Sequence, residues 1–376
     1  MRKISQNVSI DEVQKHLANN VFSNRKDPKK AAGRALGTLV EIVAYYVLQS
    51  WGLTDHIVIE SQVPEFGNPN ITHNVEYSLH PILQKEMVAF KLNSPPLTVK
   101  KLAEHWDFTE NILKRNPILI SGSSGNYVLR NAARLAESND KLIIANINNF
   151  YRKNCSINIC HLSKNPFAIV ECKRVGVEEG QSRGPQTIEK AKQGSYVANS
   201  VSSLQKFIMK DGKYKGIFED RSGNLINLPY QEFQEEIICN PSKYPGFILT
   251  IGIVSNHGNW FTAENKNKEL SILANSYDWL LFLTDDGLRE FTNELILNPR
   301  KEMRPVKKAF NNSYKKIGGN NIFTKVKIDL KTDKIIKNYF SSNSDQIEEW
   351  FNLITPEEGT IQSLRSIINK LAKREN

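Results

Sequence analysis

Apolar residues recur along this chain with two periods, and the way those periods alternate predicts an α/β protein. Across Lys30–Trp51, Leu36, Leu39, Val40, Val43, Tyr46 and Val47 fall at helical spacing, and Gly52 stands where a helix of that length would be capped. His56–Pro64 and Asn70–Leu79 are strand-like and flank the turn sequence Gly67-Asn68-Pro69-Asn70, which predicts a hairpin. Thr98–Arg115 predicts two short helices joined at Asp107-Phe108-Thr109, Asn126–Glu137 a further helix, and Lys141–Ile147 an apolar strand. Two more strands, Ser156–Leu162 and Pro166–Lys173, lie on either side of Ser163-Lys164-Asn165 and lead through a glycine-rich loop into a long helix. Residues 211–246 read as a polar connection. Phe247–Val254 and Asp278–Thr284 are unbroken apolar runs, as in buried strands, and the second is followed by a helix from Asp285 to Leu297. Ile361–Lys373 is the one helix expected in the tail. Strands alternating with helices through this half argue for an α/β sheet.

Composition narrows the partner more than the fold. The 376 residues are 40% apolar and 24% charged, ordinary for a globular protein, but the net charge is +10 and the pI near 9.2. A basic excess attracts phosphate backbones or anionic surfaces. Arg25, Lys26, Lys29 and Lys30 form an early basic cluster that reads as a solvated arm or a backbone contact. Residues 300–316 carry seven basic side chains and one acid, with Phe310 and Tyr314 interleaved, a pattern suited equally to a solvated face and to nucleic acid. Cys155, Cys160, Cys172 and Cys239 form no C-x-x-C pair, the first twenty residues lack the apolar run of a signal peptide, and no uninterrupted apolar run approaches ~18 residues, so a cytoplasmic protein with no membrane partner is expected. Ser121–Gly125 lacks the Gly-Lys-Ser/Thr ending of a phosphate loop.

Candidate chemistry concentrates between Asn154 and Lys210. In the second of the two strands, Glu171 and Lys173 share one face and Cys172 takes the other; a hairpin around Ser163–Asn165 would set Asn158 beside Glu171. Carboxylates on adjacent strands, with a lysine near them, can hold Mg²⁺ and orient water at a phosphodiester. His73, His80 and His257 read as surface or loop residues, and Glu178-Glu179 as solvated.

The run Ile169-Val170-Glu171-Cys172-Lys173 resembles the E-x-K motif of the PD-(D/E)XK nucleases, to which many type II restriction endonucleases belong. The resemblance spans roughly residues 33–62 and 150–285. It implies a restriction-endonuclease-like core, a mixed central sheet flanked by helices, over 1–64 and 146–298. Outside the resemblance, the inserted segment 65–145 reads as a hairpin followed by two short helices, whose pattern suits either an ordinary helical hairpin or a helix-turn-helix that contacts DNA, and 299–376 reads as a basic C-terminal extension. The implied function is Mg²⁺-dependent, sequence-specific cleavage of double-stranded DNA, by a homodimer where the target is palindromic, with a cognate DNA methyltransferase as genetic partner. Glu171, Lys173, position 158 and Gln193 would be catalytic. The metal set would be drawn from Glu41, position 158 and Glu171, with Cys172, which also reads as a core residue, in the same run. Arg183, Lys190, Lys192, Lys100, Lys101, Lys307 and Lys308 are the expected DNA contacts. One position departs from the pattern: Asn158, thirteen residues before Glu171, stands where the family carries an acid, and an amide is a weaker ligand. Three accounts follow: an aspartate exchanged for its neutral isostere, substitution by Asp140 or Glu137, or a domain that only binds DNA. A nuclease that reads DNA structure in repair or phage defence is a further alternative.

Overall fold

The structure is a computed structural model and describes residues 10–106, 117–121, 127–175, 185–256, 268–314 and 322–373. Its chain divides into two compact units: unit 1 is Met1–Ile59, Ile82–Lys164 and Thr284–Trp350, and unit 2 is Glu60–Pro81, Asn165–Leu283 and Phe351–Asn376.

Unit 1 begins with α1 (Ile10–Asn20) and α2 (Pro28–Ser50), the predicted apolar helix. The Asp27 side chain caps α2 by accepting the Lys30 N–H at 3.0 Å, Pro28 starts it without losing a hydrogen bond, and Gly52 follows its end at φ +88°. Among the described residues this is the one helix long and apolar enough to cross a membrane. Two-thirds of its apolar window is buried inside the fold, which accounts for its composition as a core helix.

β1 (Ile57–Glu65) and β2 (Asn68–Leu79) form the predicted hairpin. The chain then builds β3 (Ile82–Lys91), the short α3 (Val99–Leu102), β4 (Leu119–Ser121), β5 (Tyr127–Arg130), β6 (Ala133–Glu137), β7 (Lys141–Tyr151) and β8 (Asn154–Ser163). Strands β3-β8-β7-β6 make an antiparallel sheet in that order. Here the helix expected over Asn126–Glu137 is replaced by β5 and β6. Ala133 pairs with Ala145 and Glu137 with Leu142, so sheet pairing overrides the helical propensity of an Ala-, Leu- and Arg-rich run. The second helix expected near residue 112 lies outside the described residues.

Unit 2 continues with β9 (Ala168–Val175), α4 (Pro185–Val201), a small sheet of β10 (Gln205–Ile208), β11 (Tyr214–Glu219) and β12 (Leu225–Pro229), then α5 (Tyr230–Cys239), β13 (Leu249–Asn256), α6 (Lys268–Ser276) and β14 (Trp279–Leu283). The small sheet and α5 occupy what reads in the sequence as a polar connection. In unit 1 follow α7 (Asp285–Thr292), α8 (Arg304–Tyr314), β15 (Lys327–Asp329), α9 (Leu330–Ser342) and α10 (Ser344–Glu348); β16 (Phe351–Thr355) and α11 (Ile361–Ala372) end unit 2. β15 joins β5 and β4 in a second three-stranded sheet. On α8, Phe310 is fully buried and packs on Phe323 with centroids 5.5 Å apart, while Arg304 and Lys308 are exposed. Phe310 of the basic segment is thus a core residue and not an exposed stacking platform.

The larger sheet has the order β1-β2-β9-β13-β14-β16. β2 is antiparallel to β9, β9 and β14 run parallel to β13, and β16 is antiparallel to β14. Ala198 of α4 and Leu270 and Leu273 of α6 bury Val254, Tyr277 and Leu280 in one apolar cluster. The fold is therefore mixed α/β, a mixed sheet flanked by helices.

Candidate functional site

Strand alternation in β9 puts Glu171 and Lys173 on one face, and the Lys173 Nζ lies 3.1 Å from Glu171 Oε2. Glu171 is 3% exposed, whereas the Lys173 side chain keeps 31% of its surface open to solvent. Burial pushes the Glu171 carboxyl above its ordinary pKa, against the opposing charge and hydrogen bond of Lys173. In the parallel register Gly252 of β13 stands beside Glu171; a Cβ there would meet Leu280 and the Tyr277 ring at 2.9 Å, so glycine leaves that face room for the tyrosine. The Tyr277 hydroxyl is buried, and burial together with the charge of Glu171 raises its pKa well above the ordinary value.

The other neighbour of β9 is β2. Tyr77 pairs with Val170, and one step on the Glu76 N–H donates to Glu171 Oε1 at 3.2 Å. Glu76, half-buried in the run Asn74-Val75-Glu76-Tyr77, thus meets the Glu171 carboxylate through its backbone N–H. It escaped the sequence reading because it lies 95 residues away. Its signal was a lone glutamate in a strand whose flanking Val75 and Tyr77 are apolar and buried.

Helix α4 closes against this face at Gly194. A Cβ at that position would lie 2.6 Å from the Tyr277 hydroxyl and 3.7 Å from Lys173 Cε, so the approach needs a residue without a side chain. Gln193 immediately before it is exposed. One turn on, Tyr196 donates to Glu65 Oε1 at 3.0 Å, and His73 Nδ1 lies 3.3 Å from the same oxygen. His80 is buried, 2.7 Å from the Ser78 hydroxyl, and is a core residue where a surface one is expected.

Asn158 does not join this group. The hairpin that would bring it to Glu171 is absent: β8 pairs with β3 and β7, with Met87 and Asn146 opposite Asn158, while β9 pairs with β2 and β13. The chain leaves one sheet for the other at Ser163–Asn165, so adjacency in sequence does not become adjacency in a sheet. The amide that seemed to break the motif is therefore not on a strand beside the motif glutamate, and β2 supplies the neighbouring strand. Cys172 is also set apart, because it pairs with Ile253 on the opposite face and is 5% exposed. Glu137 is ion-paired with Lys164 at 2.8 Å, and Asp140 accepts from the Ser138 hydroxyl, both within unit 1.

Glu41 lies on α2 of unit 1, 3.5 Å from the ammonium of Lys325. Of the expected DNA contacts, Lys100 and Lys308 are exposed, Lys101 donates to the Ser94 carbonyl, and Lys307 to that of Leu297 at 2.7 Å. Lys190 and Lys192 belong to α4, with side chains outside the described residues; Arg183, His257, Glu178 and Glu179 lie outside them altogether. Among the described residues no group of three or more His, Cys, Asp or Glu gathers around one point.

Comparisons with protein-family models, curated proteins and solved structures found no match to this chain.

Proposed function

We propose that unit 2 carries the centre of a Mg²⁺-dependent endonuclease that hydrolyses double-stranded DNA, of the restriction type. One observation supports this above the others: the Glu171-Cys172-Lys173 run, with Glu171 buried and Lys173 Nζ 3.1 Å from it, at the end of a strand ahead of α4, and with β2, which carries Glu76, alongside. Two carboxylates fit Mg²⁺, an ion that is commonly bound by one or two acids with water and substrate phosphate completing its shell. Glu171 would hold it, with Glu76 as the acid on the adjacent strand. When bound, the ion neutralises charge on the scissile phosphate and lowers the pKa of a coordinated water. Lys173, anchored at 3.1 Å by Glu171 but open to solvent, orients the attacking water and balances the paired carboxylates. Gln193 supports from the exposed side of α4, and the net charge of +10 favours a polyanionic substrate. The binding-only alternative loses the observation that motivated it, since Asn158 lies on another sheet.

The test is incubation of mixed plasmid DNA with the protein and Mg²⁺. Discrete fragments are expected from the wild type and none from Glu171→Ala, Glu76→Ala or Lys173→Ala. A wild-type protein that leaves every DNA intact, or a Glu171→Ala variant that cuts as well, would overturn the reading; smears or junction-limited cuts would turn it towards a structure-directed nuclease.

A further inference from the structure

Three strands of unit 1 present an open face that ends in an unusual turn. The register sets Lys91 of β3, Asn154 of β8 and Tyr151 of β7 in one row, Ala89, Ser156 and Asn149 in the next, and Met87 in the one after. Paired residues point to the same side of an antiparallel sheet, so these side chains share a face. Met87 is 70% and Tyr151 59% exposed, and Lys91 and Asn154 are exposed with them. The alternate row, Phe90, Cys155 and Phe150, belongs to the opposite face, where Cys155 and Phe150 are buried. β7 and β8 are joined by Arg152-Lys153 alone, and both residues have positive φ, +47° and +72°. A two-residue turn of this kind is type I′, for which Asn-Gly is the usual sequence. Here the left-handed positions carry two long cations instead. The Arg152 guanidinium lies 5.0 Å from the centroid of the Tyr151 ring. Among the described residues the side chains of Lys91, Arg152 and Lys153 form no ion pair, and none of the three rows holds an acid. Asp55, at the margin beside Asn158, is paired with Lys85 at 2.7 Å.

We infer that this face and its turn bind single-stranded DNA, with a base stacked against the Tyr151–Arg152 pair and Lys91 and Lys153 meeting the phosphates on either side. Charge complementarity selects a polyanion, and the open ring selects one whose bases are unpaired: an aromatic on a flat sheet offers its π-face to a splayed base, which a base stacked inside a duplex cannot reach. Asn154, in the same row as Tyr151, adds a donor and an acceptor for a base edge. An anionic membrane would use the cations alone, since the tip of the turn carries Arg and Lys and no apolar residue to insert. The left-handed turn fits this role because it projects both cations from the end of the sheet, at positions where packing does not call for them. The inference stands on unit 1, and its test involves no cleavage, so a failure of the acid site of unit 2 leaves it intact.

Fluorescence anisotropy with a labelled oligodeoxythymidylate of about 15 nucleotides, in EDTA so that no strand is cut, tests it. Saturable binding is expected. Tyr151→Ala, at an exposed position, should weaken it about tenfold and leave the binding of a duplex of the same length unchanged. The double variant Arg152→Asn/Lys153→Gly gives the turn its usual sequence, so it should keep or raise the melting temperature while strand affinity falls about tenfold; a loss of this kind cannot come from unfolding. The slope of log affinity against log salt should also flatten, by about 0.7 for each phosphate contact removed. No saturable binding to the strand, including the case in which phosphatidylserine vesicles bind in its place, would overturn the inference. So would full affinity in both variants, or a Tyr151→Ala variant that weakens duplex and strand alike.

Discussion

Unit 2 contains two acid–lysine pairs built on buried acids, and they have opposite characters. Asp278 and Lys206 are consumed by the protein: Asp278 accepts the Thr250 N–H at 2.7 Å and the Tyr230 hydroxyl, while Lys206 donates to the carbonyls of Ala274 and Tyr277 at 2.9 and 3.0 Å and lies over the rings of Tyr214 and Tyr230. Burial pushes Asp278 up to about 7 and Lys206 down to about 8. At Glu171 and Lys173 the acid is equally buried, yet its lysine is part-exposed and its second neighbour is another acid's backbone. An acid pushed up by burial is common to both pairs and distinguishes neither. Access does: the first pair locks β10 and β11 to the main sheet, and the second keeps donors and acceptors available to a ligand.

The contrast can be broken most sharply at the acid site. Glu171→Ala should reduce DNA cleavage by about 10³-fold or more in a Mg²⁺ plasmid assay, as removal of a charge-stabilising or proton-handling group does, with the protein still folded by circular dichroism. Asp278→Ala should do the reverse, costing about 3–5 kcal/mol in urea denaturation because Lys206 is left buried without its counter-charge. Gly194→Ala tests the packing beneath the first pair. With Tyr277 Oη 2.6 Å from the new methyl, about 1–3 kcal/mol of stability should be lost and cleavage should fall with it.

Smaller effects sharpen the same distinction. Asp278 has a folded-state pKa of about 7 against 3.8 in the unfolded chain, so the folded form holds the proton more tightly. Its contribution is complete below pH 4 and declines as the pH rises to 7. Denaturation midpoints measured across that window should fall more steeply for the wild type than for Asp278→Asn. Least of all, Asn158→Asp should bring no gain in cleavage, and a large gain would mean that position 158 serves the acid site after all.

Much of unit 2 was legible from sequence because its signals are local. The strand-like patterns of β1, β2 and β9 and the unbroken apolar runs of β13 and β14 each sit within one element, as does the helical spacing of α2 in unit 1. The E-x-K run was legible for the same reason, as its two side chains are two residues apart on one strand. The partner of β9 was not, because pairing is decided by tertiary contact and spacing arguments reach only to the nearest upstream strand. β5 and β6 were misread for a related reason: Ala133 and Ala136 favour a helix in isolation and are held extended by β7. Phe310 and Tyr314 looked like stacking platforms because sequence records their interleaving with lysine and not the side of α8 on which Phe310 is buried.

The 95-residue separation of Glu76 and Glu171 carries a kinetic consequence. Closing so long a loop costs about 2–3 kcal/mol more entropy than closing a short turn, since each doubling of length adds about 0.6 kcal/mol. The intervening segment offsets that cost itself, for its first and last strands pair directly, Ile82 opposite Leu162. Once β3 and β8 zip together, the ends of β2 and β9 are delivered to each other as though joined by a hairpin. Pairing of β3 with β8 before β2 meets β9 would therefore leave only a short loop for the second closure. A sheet contact that is remote in sequence is in this way made nearly local, at the entropic cost of a turn.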